Sequence, residues 1–196
     1  MGVTIYYKGE LKLASSLQKM INEVEDAAKV NHWKYFIFDD AFPNDEFAKI
    51  IDEKRLFGIS VTPENSESLC FTFLSNGKMC GILNFKILQM YSDTEDSNLY
   101  QVATKTQFAG FETHKKIILL LDYIQSKYFS NFECFDETNY WETKNELFLK
   151  DTFEKNTNLI NSFSSGIEMI PKNENESLED YLLRIAKIIT KKNNNE

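Results

Sequence analysis

The chemistry this chain could carry is concentrated around one histidine. Of 196 residues only two are histidines, His32 and His114, and three are cysteines, Cys70, Cys80 and Cys134. His114 stands between two polar and aromatic runs, Lys105-Thr106-Gln107-Phe108 before it and Asp136-Glu137-Thr138-Asn139-Tyr140-Trp141-Glu142-Thr143 after it. Two uses of such a set are chemically sound. A histidine with the carboxylates of Asp136, Glu137 and Glu142 could hold a divalent ion or act as an acid–base pair, the equipment of a metal-assisted hydrolase. Alternatively, Tyr140 and Trp141 form an aromatic platform, with Lys105 and Gln107 supplying hydrogen bonds to a ligand. The plainer alternative makes Tyr140 and Trp141 packing residues, Asp136-Glu137 a turn and His114 a solvated helix start. No basic residue occurs from 132 to 143 among the acids at 133, 136, 137 and 142, which suits a solvated loop or a cation site.

Other chemistries lack their residues. The chain has no GxxxxGK[ST] or GxGxxG phosphate cradle and no HExxH zinc helix. Gly58-Ile59-Ser60-Val61-Thr62 imitates a GxSxG nucleophile elbow but ends in Thr and lies within an alternating strand. Lys and Arg number 22 against 30 Asp and Glu, for a net charge of −8, and only Arg55 and Arg184 are arginines. Phosphate backbones and anionic membranes need clustered bases, so neither nucleic acid nor a membrane is an expected partner. The opening MGVTIYYKGE has no charged start leading into an apolar run, and no CxxC spacing occurs. A cytoplasmic protein with reduced thiols is the expectation, and no cofactor is expected.

The elements that must position these residues follow from apolar spacing. Val3–Tyr7 reads as a strand and Ser15 with Gln18 as a capping box. Leu17, Met20, Ile21, Val24, Ala27 and Ala28 make an amphipathic helix, and Tyr35–Phe38 a short apolar strand. Phe47, Ile50 and Ile51 suggest a short helix; Phe57, Ile59 and Val61 alternate as a strand. Asn76-Gly77 then turns a hairpin of 69–74 and 78–85. With those two residues as the turn, Cys70 and Cys80 point to opposite faces of a ribbon that is apolar on both sides. The acidic stretch 92–98 is the candidate boundary between halves 1–91 and 99–196.

Beyond it Tyr100–Thr106 reads as a strand, Ile117, Ile118, Leu121, Ile124 and Tyr128 as a helix face, and Phe132–Phe135 as a strand. A shift of 97 positions superposes this pattern on the opening one, as two ordinary β-α-β units also would. In a β-α-β unit the end of the first strand, the start of the helix and the exit of the second strand share one edge. Lys105 and Gln107, His114, and the 136–142 run should therefore meet on one rim.

The last third is helical. A first segment runs over 144–163, with Gly166 and Pro171 as punctuation, and a helix capped by Ser177 and Asp180 closes the chain. The expected fold is a single α+β domain: a mixed sheet from two β-α-β-like units around a central hairpin, with two C-terminal helices packed on it. A homodimer through the last helix would use its broad apolar stripe.

The runs KTQF (105–108) and DETNYWET (136–143), with TIYYKG (4–9) and FGISVTP (57–63), resemble an uncharacterised family of small bacterial proteins over roughly residues 3–150. The DETNYWET run lacks the glycine of that family's turn. The resemblance implies a bacterial protein and brings no catalytic residues, since the family has no assigned activity. The expected function is non-catalytic binding of a protein partner or small ligand at the Lys105/His114/Tyr140 rim; metal-assisted hydrolysis by His114 with Glu137 and Glu142 is the alternative.

Overall fold

In the computed structural model, which describes residues 2–91 and 97–193, Ile5, Tyr7 and Leu11 turn inward from the first strand, β1 (Thr4–Leu11). There follow α1 (Leu17–Val30), β2 (Lys34–Ile37), β3 (Phe57–Thr62), β4 (Leu69–Phe73), α2 (Ile82–Tyr91), β5 (Val102–Lys105), α3 (Phe111–Tyr128), β6 (Phe129–Asp136), α4 (Tyr140–Thr143), α5 (Glu146–Met169) and α6 (Leu178–Asn193). The class is α+β. Residues group into two compact units, Gly2–Leu149 and Lys150 onward, so the first turn of α5 belongs to the first unit. The dividing point lies in α5. Of the acidic stretch expected to separate two halves, residues 92–96 lie outside the described residues, as does the tail from 194.

The sheet is wired differently from the expected mixed one. Among the described residues every ladder is antiparallel, in two three-stranded sheets of order β5-β1-β6 and β2-β3-β4. β5 and β6 both run opposite to β1, so they are parallel to each other with β1 between them, and α3 is the crossover that joins them. β1 and β2 belong to different sheets, so the opening strand-helix-strand segment is no β-α-β unit. The segment 78–79 links the two sheets, bridging to β1 by Glu10–Lys78 and to β4 by Phe73–Met79. Tyr7 strengthens this joint: its hydroxyl donates to the Cys70 carbonyl at 3.3 Å and accepts the Cys70 N–H at 2.8 Å.

The hairpin turns one residue differently from the Asn76-Gly77 expectation. Leu74 N–H donates to the Lys78 carbonyl and Gly77 N–H to that of Leu74, so the loop is the three residues 75–77, closed by Gly77 at φ +81°. Phe73 then faces Met79, and Cys80 N–H donates to Thr72 O at 2.9 Å. Shifting the register by one residue turns every following side chain to the other face, which brings Cys70 and Cys80 to the same one. The second arm ends early, and 82–91 is α2 instead of a strand. Its Ile82, Phe85 and Leu88 recur every third residue and cover Leu56, Leu74, Cys80 and Leu99.

The three thiols are free. Burial pushes the Cys80 and Cys134 thiols up to about 12 and raises that of Cys70. Because the thiolate is the reactive form, iodoacetamide at about pH 8 should label the native chain far more slowly than the urea-unfolded chain. Equal rates would contradict the burial.

Two local expectations also change. No helix forms at 47–51; a 3-10 turn at Pro43–Asp45 leads into irregular chain, with Phe42 stacked on Phe57. Ser15 and Gln18 make no capping box, and α1 instead follows a 3-10 turn at Ala14–Ser16. Ser177 and Asp180 do cap α6, with Asp180 N–H donating to Ser177 Oγ at 3.0 Å and that hydroxyl to Asp180 Oδ2 at 2.7 Å.

Within the second unit α5 continues through Gly166. A Cβ there would lie 2.8 Å from Ile185 Cγ2, so the glycine permits close approach of α6. Tyr181, Ile185 and Ile189 form the core between the two helices.

Candidate functional site

The wiring of sheet β5-β1-β6 brings three chain segments to one edge. β5 ends at Lys105, and a turn from Thr106 to Ala109 leads to Gly110, whose φ of +81° starts α3 without a side-chain cap. His114 is in the first turns of α3, and β6 delivers Asp136 beside it. Thr106, His114, Asp136 and Thr138 are all enclosed.

These four side chains bond to one another. Thr106 Oγ1 is 2.7 Å from His114 Nδ1, while His114 Nε2 is 3.2 Å from both Asp136 Oδ1 and Thr138 Oγ1. An ionised carboxylate only accepts, so Nε2 carries a proton toward Asp136. Asp136 also accepts the Thr138 N–H and hydroxyl and the N–H groups of Tyr140 and Trp141. It thereby anchors the start of α4, whose preceding residue Asn139 sits in the left-handed region at φ +54°. Burial alone would raise the carboxyl pKa of Asp136. The histidine's hydrogen bond and charge, with the Thr138 donors, outweigh that and hold it below the ordinary value. An aspartate, a histidine and a threonine hydroxyl in series have the connectivity of a nucleophile triad. Here the hydroxyl faces the inside of the protein, where Thr106 Oγ1 also lies 3.3 Å from the Val3 carbonyl. The arrangement orients backbone from inside the protein.

Sequence reasoning placed seven residues on this rim, and the structure divides them. His114 is fully buried and Tyr140 is 3% exposed. His114 leaves the expected solvated helix start because Thr106 and the Asp136–Thr138 turn close over it. Trp141 is half-buried, with its ring 5.7 Å from that of Phe132 and Lys144 Nζ 4.6 Å from its centroid. Lys105 and Glu142 are exposed, and Glu137 Oε2 accepts the Thr4 N–H at 2.8 Å. Gln107 is half-buried, and its Oε1 has no hydrogen-bond partner among the described residues.

Thr106, Thr138 and Phe108, which is 65% exposed, belong to the same edge and were not singled out from the sequence. The signal for Thr138 was present: an aspartate two residues before a threonine, ahead of a short helix, is an Asx-turn pattern. Phe108 gave none.

Among the described residues no three His, Cys, Asp or Glu side chains converge on a point that could hold a metal ion, and no helix is long and apolar enough to cross a membrane. Comparison with protein-family models, with curated proteins and with solved structures finds no match.

Proposed function

We propose that the chain is a non-catalytic interaction protein that binds a protein partner through the surface above the buried histidine. The observation that carries this reading is the enclosure of Thr106, His114 and Asp136. Among the described residues the buried acid–base series at the rim is spent on fixing two loops, which favours binding over metal-assisted hydrolysis. What those loops present is suited to recognition: the exposed ring of Phe108, the half-buried ring of Trp141, and the charged ends of Lys105 and Glu142. Apolar aromatic anchors surrounded by charge are the usual composition of an interface hot spot.

The test is a pair of substitutions, Phe108→Ala and Trp141→Ala, read by capture of a partner from lysate and by thermal melting. Phe108→Ala should abolish capture with the melt unchanged, and Trp141→Ala should weaken capture with a drop of only a few degrees. If both variants capture the same partner as the wild type, the rim is not the binding surface.

A further inference from the structure

β2 is an outer strand of its sheet, paired with β3 alone. Natural edge strands are usually shielded by proline, a bulge, charge or a covering segment. β2 reads Lys34-Tyr35-Phe36-Ile37, and only Lys34 among these is charged. Phe36 is 61% exposed and Tyr35 40% exposed.

The parity of its backbone bonds shows which groups are open. The ladder pairs Phe36 with Ser60 and Lys34 with Thr62, and Phe38 N–H donates to Gly58 O in the same register. In an antiparallel ladder the hydrogen-bonded residues alternate, so residues 34, 36 and 38 point their backbone groups at β3. Tyr35 and Ile37 therefore point theirs away, and no group among the described residues bonds to them. The two open residues are symmetric about Phe36.

We propose that β2 pairs antiparallel with β2 of a second copy of the chain, about a two-fold axis at Phe36. In that register the open groups of Tyr35 meet those of Ile37 of the second copy, and the reverse. Phe36 meets its own counterpart at a non-hydrogen-bonded position, where opposed side chains lie closest. The charges favour the same occupant. Lys34 opens β2 and Asp40 follows three residues after its end; both are exposed. The two-fold brings each Lys34 toward the end of the other copy's strand from which Asp40 follows, so opposite charges meet there. Phe38, whose ring meets Phe36 edge-on at 4.8 Å, flanks the central pair on each side. This interface is separate from the rim and independent of what the rim binds.

Sedimentation analysis of the full chain tests it. The wild type should convert from monomer to dimer within about 1–200 µM, as a short strand pairing of small area implies. Phe36→Lys and Phe36→Glu each place like charges face to face on the axis, so each alone should stay monomeric; an equal mixture should recover the dimer, because lysine then faces glutamate. Tyr35→Pro removes an open N–H without touching the bonds to β3 and should also be monomeric with an intact fold. A wild type that stays monomeric throughout overturns the proposal. So does a dimer that persists in the single-charge variants, or a folded mixture that fails to dimerise.

Discussion

Replacing Gly58 by alanine should abolish the native fold of the first unit or lower its melting temperature by more than about 10 °C, at a cost of about 4 kcal/mol or more. Two terms act together. Gly58 has φ +112°, a region that L side chains rarely adopt. A Cβ built there would also penetrate the Phe71 carbonyl oxygen and lie 3.2 Å from Thr72 Cα, both backbone atoms of the neighbouring strand. Flexible side chains can give way, but a hydrogen-bonded strand cannot without breaking its ladder. The position is occupied in a third way: Gly58 N–H donates to Asp39 O while Gly58 O accepts Phe38 N–H, so the chain after β2 is fastened at this residue. Neighbouring Ser60→Ala, by contrast, should shift the melt by only a few degrees. A Gly58→Ala protein that melts like the wild type would refute this account.

The second large effect is expected at Asp136. Asp136→Ala removes the acceptor for His114 Nε2, for the Thr138 hydroxyl and for three backbone N–H groups, all within the protein. Removing a buried acceptor that serves five donors costs about 3–5 kcal/mol, because those donors lose both water and acceptor. The drop should be of the order of 10 °C for a domain of this size. The pH dependence supplies a sharper test. The folded carboxyl has a pKa below its unfolded value, so its stabilisation is complete above the unfolded value of about 4 and is lost as pH falls through the folded one. The wild-type melting temperature should therefore fall more steeply than the variant's as the pH is lowered below about 4. Parallel pH profiles would mean that Asp136 contributes nothing through its charge.

The sequence was most informative about direction along the chain and least about enclosure. The convergence of Lys105–Gln107, His114 and the 136–142 segment was readable because a strand-helix-strand order fixes which ends meet, and it survives the insertion of β1 between β5 and β6. The burial of His114 was not readable, since it depends on Thr106 and Thr138, small residues that carry no periodic signal. Tyr140 and Trp141 are adjacent and chemically alike, yet one is enclosed and the other half-exposed. The left-handed Asn139 sets the angle of a four-residue helix, too short to show a pattern. α2 was misread because its apolar residues fit a period of two from the turn onward as well as a period of three, and the three-residue loop that shifts the register has no signature beyond the glycine it shares with the two-residue kind. Gly58 looked like one small residue in an alternating strand; its backbone angle is invisible in composition.

One consequence follows from the central place of β1. Its ladder partners, β5 and β6, come about a hundred residues or more later in the chain, so both of its ladders must close long loops, which slows folding. On the ribosome the first strand must wait, its edges unsatisfied, until most of the polypeptide has emerged. Until β6 is made, the backbone edge of β1 that it covers stays open to other pairing.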